Sequence, residues 1–91
     1  MPVELVLKGR VQGVGCRYYC SQVARRLNIS ATASNKHDGS VSVILETENS
    51  DLVRTYVDAL ENNRFRISFF GSIREITQRT YSGHPEGDYE W

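Results

Sequence analysis

The sequence has little cysteine, no long apolar run and no net charge, and each shortage excludes a class of protein. Its 91 residues contain two cysteines, Cys16 and Cys20, far below the density of a small domain held by disulfides. No apolar run approaches the ~20 residues that cross a bilayer as a helix, and a hydrophobic share of 40% is typical of a soluble globular protein. We therefore expect one domain over residues 1–91, with a single core and no membrane partner.

Signals for export and for metal binding are also missing. The amino terminus alternates apolar with polar residues, whereas a signal peptide has a basic start and a longer apolar block. The two cysteines and the two histidines, His37 and His84, do not fall at the spacing of a zinc finger. The sequence therefore predicts a cytoplasmic protein with reduced thiols, no metal and no cofactor.

The net charge is zero, but the charged residues are unevenly distributed along the chain. The chain has 11 basic and 11 acidic residues, but residues 1–36 carry a charge of +5, because six lysines and arginines stand against Glu4 alone. A basic segment on a neutral protein favours a site for a small anion, since its field attracts a ligand without making the whole surface adhesive. A sequence-independent nucleic-acid binder is usually basic overall, so we expect no nucleic-acid partner.

Hydrophobic periodicity divides the chain into strands and helices. Apolar residues with a period of two predict strands, and apolar residues at i, i+3, i+4 and i+7 predict amphipathic helices. Asp38-Gly39 is a strong turn signal, and Asn49 or Ser50 is placed to cap the second helix. The predicted strands cover residues 3–8, 31–36, 41–45 and mainly 72–81, residues 88–91 could add a short fifth strand, and the predicted helices cover residues 17–28 and about 50–62.

The predicted order, β-α-β-β-α-β, is that of a ferredoxin-like α/β sandwich. Right-handed crossovers turn this order into an antiparallel sheet with both helices on one face, an α+β fold. The loop between the first strand and the first helix then lies at one end of a central strand. Asn35, near the end of the second strand, is predicted to be a neighbour of that loop.

Residues 9–17, Gly-Arg-Val-Gln-Gly-Val-Gly-Cys-Arg, form this cradle loop and carry the strongest sign of chemistry. Gly13 and Gly15 can adopt positive φ without a Cβ penalty, so that successive amides point into one concavity. Arg17 adds a planar donor fork at the start of a helix, whose positive dipole end also attracts anions. The stretch therefore predicts a phosphate-binding site.

Each residue of this prediction also has a simpler interpretation. The glycines alone are compatible with a tight turn, and the string matches neither GxGxxG nor a Walker loop, so nucleotide binding is weakly supported. Arg17 could be an exposed arginine, although a cation is poorly placed at a helix amino end unless an anion meets it. Asn35 could cap the hairpin turn with Asp38, and Gln12 is expected to hold the loop rather than react.

Two motifs together resemble the acylphosphatase family: Gly-x-Val-Gln-Gly-Val-Gly-x-Arg before a helix, and Asn-x-x-Asp-Gly-x-Val beginning at Asn35. The resemblance implies an enzyme that hydrolyses acyl phosphates to a carboxylate and inorganic phosphate, with phosphate as product and inhibitor. It implies that Asn35 positions the attacking water, without a metal or a covalent intermediate. It also implies that the phosphoryl group is bound by Arg17 and by the preceding loop, namely Gln12, Gly13, Val14, Gly15 and Cys16. We expect a monomer, although the sequence leaves the oligomeric state open.

The chain departs from the family pattern beside this site. Cys16 stands where the family usually has Phe, and we expect it to serve as a smaller buried residue. The alternative is an oxidisable thiol, because the amino end of a helix can lower the pKa of a cysteine. Ala31-Thr32-Ala33-Ser34 replaces the usual Gly-Trp-Val-Arg, which leaves a non-catalytic phosphate-binding or regulatory module as the alternative function. An RNA-binding ferredoxin-like module is a third hypothesis, weakened because the predicted central strands offer no exposed aromatic residue.

Overall fold

A computed structural model describes residues 2–67, 69, 71–80, 89 and 90. The strands and helices follow the predicted order, and a short fifth strand is present near the carboxyl end. The elements are β1 (Val3–Arg10), α1 (Cys16–Arg26), β2 (Ala31–Asn35), β3 (Val41–Leu45), α2 (Ser50–Asn62), β4 (Ser72–Thr80) and β5 (Tyr89–Glu90). Positions 81, 88 and 91 of the predicted strands, and His84, lie outside the described residues. None of the helices in the described ranges is long and apolar enough to cross a membrane.

The strands form one sheet in the order β4-β1-β3-β2-β5, with antiparallel pairing between all neighbours. Leu5 and Leu7 of β1 and Val43 of β3 share one core cluster with buried residues of α1 and α2. Both helices therefore cover the same face, which confirms the predicted ferredoxin-like sandwich. β1 continues to Arg10, two residues beyond its predicted end, because Gly9 and Arg10 at the start of the cradle loop pair with β4. β2 ends at Asn35, one residue earlier than predicted. The cradle loop leaves the end of a central strand, β1, as that fold requires.

The helix boundaries depend on local backbone conformation. α1 begins at Cys16, one residue earlier than predicted, and it ends at Arg26 rather than Asn28 because Asn28 adopts the left-handed conformation with φ of 57°. The predicted cap of α2 is confirmed, since the side-chain oxygen of Asn49 accepts hydrogen bonds from two main-chain amides of the first turn at 3.0 and 3.2 Å. Such bonds satisfy donors that have no partner inside the helix.

Two buried tyrosines connect the helices to each other by hydrogen bonds. The hydroxyl of Tyr19 in α1 donates a hydrogen bond to the main-chain oxygen of Leu60 at 2.7 Å. The hydroxyl of Tyr56 in α2 donates to the main-chain oxygen of Cys20 at 2.9 Å. Both tyrosine side chains are fully buried, so each ring adds apolar contact while its hydroxyl is satisfied. These reciprocal bonds fix α1, and with it the cradle loop at its amino end.

The face of the sheet opposite to the helices, the back face, is also partly buried. β3 is buried at all five positions, although its alternation is typical of a strand with one exposed side. Ser42 and Ile44 of β3 and Glu4 of β1 lie on the back face and are at most 3% exposed. Glu4 is the least expected of these buried residues, because a buried carboxylate destabilises the fold unless it has a partner.

Candidate active site

The cradle loop is shaped by two glycines and by the start of α1. Gly13 and Gly15 have φ of 73° and 82°, in the left-handed region that a Cβ disfavours. Gly15 immediately precedes α1, where no described side chain caps the helix and no acidic residue lies in the first turn. The main-chain amides and the positive dipole end at the start of α1 form an arrangement that favours an anion.

Arg17 and Asn35 meet at one cavity beside the cradle loop. This cavity has a volume of about 150 Å³ and is lined by Val11, Gly13, Gly15, Cys16, Arg17, Tyr18 and Asn35. Arg17 enters from the first turn of α1, and Asn35 enters from the last position of β2. The cavity is smaller than a typical metabolite site of roughly 300–1,000 Å³, and its size suits a small anion. The structure thus places Asn35 next to the cradle loop, as the predicted fold requires.

Strand alternation explains how Asn35 reaches this cavity. Ala31 and Ala33 are buried on the helix-covered side of β2, and Asn35 continues that side to the exposed rim. Thr32 and Ser34, which replace the family's usual Trp and Arg, point to the back face. The departures at Thr32 and Ser34 therefore lie on the side of the sheet away from the cavity, whereas Cys16 lines it.

Gln12 fastens the cradle loop to the β2–β3 hairpin. Its Nε2 donates to the main-chain oxygen of Lys36 at 2.7 Å and to that of Ser40 at 2.8 Å. This confirms the expectation that Gln12 holds the loop. Of the six residues predicted to bind phosphate, four line the cavity, whereas Gln12 and Val14 lie outside its lining.

A contact with the residue before β4 sets the position of the cradle loop, and sequence patterns did not reveal it. A Cβ on Gly71 would lie 2.0 Å from the main-chain oxygen of Arg10 and 2.5 Å from Cγ2 of Val14. Only glycine permits this approach, because both distances are far below van der Waals contact. The available sign was weak: Gly71 interrupts an apolar alternation, which often marks a close backbone approach.

Tyr18 is a second residue that the sequence analysis did not single out. It is 49% exposed, whereas the adjacent Tyr19 is fully buried, because successive residues of a helix point in different directions. Tyr18 lines the cavity next to Arg17 and Asn35. An exposed aromatic ring at the rim of a polar cavity can contact an apolar part of a ligand.

The side chain of Asp38 accepts hydrogen bonds within the hairpin turn. Its Oδ1 accepts hydrogen bonds from the hydroxyl of Ser40 at 2.6 Å and from the Ser40 main-chain amide at 3.0 Å. These bonds, the hydroxyl first, lower the pKa of Asp38, so the group is a weak base at neutral pH. The interpretation of Asp38 as a turn residue is confirmed.

The two thiols are buried neighbours on α1. Cys16 and Cys20 are 2% and 0% exposed, and their sulfur atoms lie 3.9 Å apart without a disulfide. The hydrogen bond with Cys16 and complete burial raise the pKa of the Cys20 thiol well above its ordinary value, so Cys20 stays protonated. The expectation that Cys16 is a small buried residue is confirmed. Within the described part of the chain, no three His, Cys, Asp or Glu side chains are grouped to hold a metal ion.

Comparisons with known proteins concern the family and the fold of the chain. A family model described as Acylphosphatase matches residues 3–89. An acylphosphatase of Treponema denticola is 38% identical over 82 residues, which are 88% of this chain and 85% of that protein. An acylphosphatase of Lactococcus lactis subsp. lactis is 31% identical over 77 residues, 81% of this chain and 79% of that protein. The crystal structure of acylphosphatase from Bacillus subtilis superimposes with a TM-score of 0.74 at 26% identity, covering 99% of this chain and 98% of the other.

Proposed function

The chain belongs to the acylphosphatase family, and we propose that it hydrolyses acyl phosphates with Arg17 holding the phosphoryl group and Asn35 orienting the attacking water. The observation that carries this proposal is the single cavity that unites these two side chains with the uncapped amino end of α1. The three components supply what phosphoryl transfer needs: charge stabilisation, main-chain donors and a positioned nucleophile.

The phosphoryl group is held by charge and by main-chain donors. The guanidinium of Arg17 presents a planar fork of N–H groups that matches two phosphoryl oxygens. Amides of the loop from Gln12 to Cys16 supply donors for the third oxygen, and the dipole of α1 favours the negative charge.

The reaction needs little beyond positioning, because an acyl phosphate has a stable carboxylate as its leaving group. The side-chain oxygen of Asn35 accepts a hydrogen bond from water and directs the water oxygen towards phosphorus. A new P–O bond forms as the bond to the acyl oxygen breaks, and the carboxylate leaves with the electron pair. The water proton passes to a phosphoryl oxygen, so the proposal uses no strong base, metal or covalent nucleophile.

Hydrolysis of benzoyl phosphate in excess chelator tests this proposal. Arg17→Ala is expected to lower kcat/KM by about 10²–10³-fold and to remove the stabilisation of the fold by inorganic phosphate. Arg25→Ala, which removes an exposed arginine from the last turn of the same helix, is the matched control and should leave both intact.

Asn35→Ala separates water positioning from phosphate binding. The variant is expected to lower kcat by about 10²–10³-fold while phosphate still stabilises the fold. Asn62→Ala, at an exposed position of α2, is the control. Loss of turnover and of phosphate stabilisation together in a folded Asn35→Ala protein would contradict the role given to Asn35.

The alternative function gives a different result. If phosphate stabilises the wild type but benzoyl phosphate is not hydrolysed, the chain is a non-catalytic phosphate-binding module. For the enzyme, inorganic phosphate is expected to inhibit competitively, and sedimentation is expected to show a monomer, since one chain supplies the whole cavity. The cytoplasmic location stays a prediction.

A further inference from the structure

The back face of the sheet carries a second cavity, larger than the one at the cradle loop. This back cleft has a volume of about 490 Å³ and lies beside β1, β4 and the β2–β3 hairpin. Three cations line it: Lys8, Lys36 and Arg79. The described lining residues of the two cavities do not overlap, so a ligand in the back cleft would be distinct from the substrate.

Arg79 is held in place by a buried carboxylate. Its Nε donates to Oε1 of Glu4 at 2.5 Å, and Ser42 donates to the other oxygen of Glu4 at 2.5 Å. The side chain of Glu4 is 4% exposed, whereas that of Arg79 is 65% exposed. Arg79 therefore lines the cleft with most of its side chain exposed, while its Nε is held by Glu4.

This arrangement prepares Arg79 to bind an anion. An exposed arginine normally samples many rotamers and loses that freedom when it binds. Because Glu4 already restrains Arg79 through Nε, the donor fork is preorganised and binding costs less conformational entropy. Burial of a carboxylate costs free energy, and the buried Glu4 has the effect of orienting Arg79.

The lining of the cleft is positive. Asp38 is the one carboxylate among its described lining residues, and its Oδ1 is occupied by the amide and hydroxyl of Ser40. Glu75 lies opposite Lys8 in the β1–β4 register but outside the lining. Lys8, Lys36 and Arg79 outnumber the carboxylates of Asp38 and of Glu4, which is paired with Arg79. The one positive charge in excess favours an anion in the cavity.

We propose that the back cleft binds a small molecule carrying at least two oxyanion groups, with Arg79, Lys8 and Lys36 as its positive contacts. Phosphate and carboxylate oxygens both satisfy this chemistry. A nucleic-acid strand fits less well, because the described lining contains no Phe, Tyr or Trp on which bases would stack.

Titrations of the intact protein with pyrophosphate and, separately, with citrate test the proposal by ¹H–¹⁵N NMR. Amide resonances of Lys8, Lys36 and Arg79 report the back cleft, and those of Gly13 and Arg17 report the cradle loop. At least one of the two anions is expected to shift the back-cleft resonances, with a midpoint concentration separate from that of the cradle-loop resonances. A shift by pyrophosphate alone identifies phosphate as the ligand chemistry, and a shift by citrate alone identifies carboxylate; either supports the proposal.

Charge and orientation are tested by variants. In the double variant Lys8→Gln/Lys36→Gln, the anion concentration that half-shifts the back-cleft resonances is expected to rise about tenfold. The concentration that half-shifts the cradle-loop resonances is expected to stay unchanged. Arg79→Lys keeps the charge but loses the fork, and it is expected to weaken binding at least ~threefold. Thermal unfolding checks that each variant is folded.

Arg25→Gln/Arg54→Gln is the matched control, because it removes the same charge from exposed positions on the two helices. Its back-cleft midpoint is expected to equal that of the wild type. Equal weakening in both double variants would mean general attraction by net charge and would overturn the proposal. Failure of both anions to shift the back-cleft resonances would also overturn it.

Discussion

Gln12 Nε2 lies 2.7 Å from the main-chain oxygen of Lys36, and this bond joins the two halves of the candidate active site. Gln12 belongs to the cradle loop, whereas Lys36 directly follows Asn35. The same nitrogen also donates to the main-chain oxygen of Ser40 at 2.8 Å. The position of Asn35 relative to the cradle loop is therefore tied to a side chain that lies outside the cavity.

Gln12→Ala is expected to misplace Asn35. The substitution removes two hydrogen bonds, so the free energy of unfolding should fall by about 1–2 kcal/mol. We expect kcat for benzoyl phosphate to fall about tenfold with a smaller change in KM, because the water position is lost more than phosphate binding. Gln22→Ala, on α1 away from the hairpin, is the control. A wild-type kcat in folded Gln12→Ala would show that the hairpin is positioned without this bond.

Tyr18 is expected to contact the acyl group of aromatic substrates. Its ring is half exposed at the rim of the cavity that contains Arg17 and Asn35. Aromatic contacts contribute about 0.5–1.5 kcal/mol, so Tyr18→Ala should raise KM for benzoyl phosphate about fivefold and leave acetyl phosphate hydrolysis nearly unchanged. Tyr18→Phe retains the ring and should behave as the wild type with both substrates. Equal losses with both substrates in Tyr18→Ala would contradict a role in acyl-group contact.

Gly71→Ala is expected to displace the cradle loop. The new Cβ would lie 2.0 Å from the main-chain oxygen of Arg10, and relief of the clash requires backbone movement that costs about 1–3 kcal/mol. Urea unfolding should show this loss, and the stabilisation by phosphate should decrease because the loop amides move. Ser72→Ala, at the next position and exposed, is the control. If Gly71→Ala keeps full phosphate stabilisation, the cradle does not depend on this contact.

The Glu4–Arg79 pair is expected to make stability depend on acid pH. Burial raises the pKa of Glu4, but hydrogen bonds from Ser42 and Arg79 and the nearby positive charges outweigh burial, so its pKa lies below the ordinary value of 4.5. Since the folded state holds the carboxylate more strongly ionised, the contribution is fully present above about pH 4.5. It is lost as the pH falls through the lowered pKa.

Urea unfolding between pH 7 and pH 3 measures this contribution. Glu4→Gln is expected to lose less stability on acidification than the wild type, whereas Glu46→Gln, at an exposed position, should follow the wild type. Parallel curves for Glu4→Gln and the wild type would mean that another carboxylate causes the acid dependence.

Local patterns were sufficient for the order of the elements and for some of their ends. The alternation at Leu5 and Leu7 and the cap at Asn49 depend on near neighbours in sequence, and the structure confirms them. The predicted end of α1 lies two residues beyond the observed end, because the left-handed conformation of Asn28 competes with continuation of the helix. The roles of Arg17 and Asn35 in catalysis stay predictions until they are tested.

The order of strands and helices, the turn of Gly13 and Gly15 before α1 and the arginine in its first turn all follow from local sequence. These features are encoded by periodicity and by backbone preferences within a few residues. The predicted fold brings Asn35 beside the cradle loop, but the packed structure was needed to show that Asn35 and Arg17 line one cavity and that Glu4 orients Arg79 on the back face. The reason is physical: strand pairing and packing bring distant residues together, and no local pattern specifies which strands become neighbours.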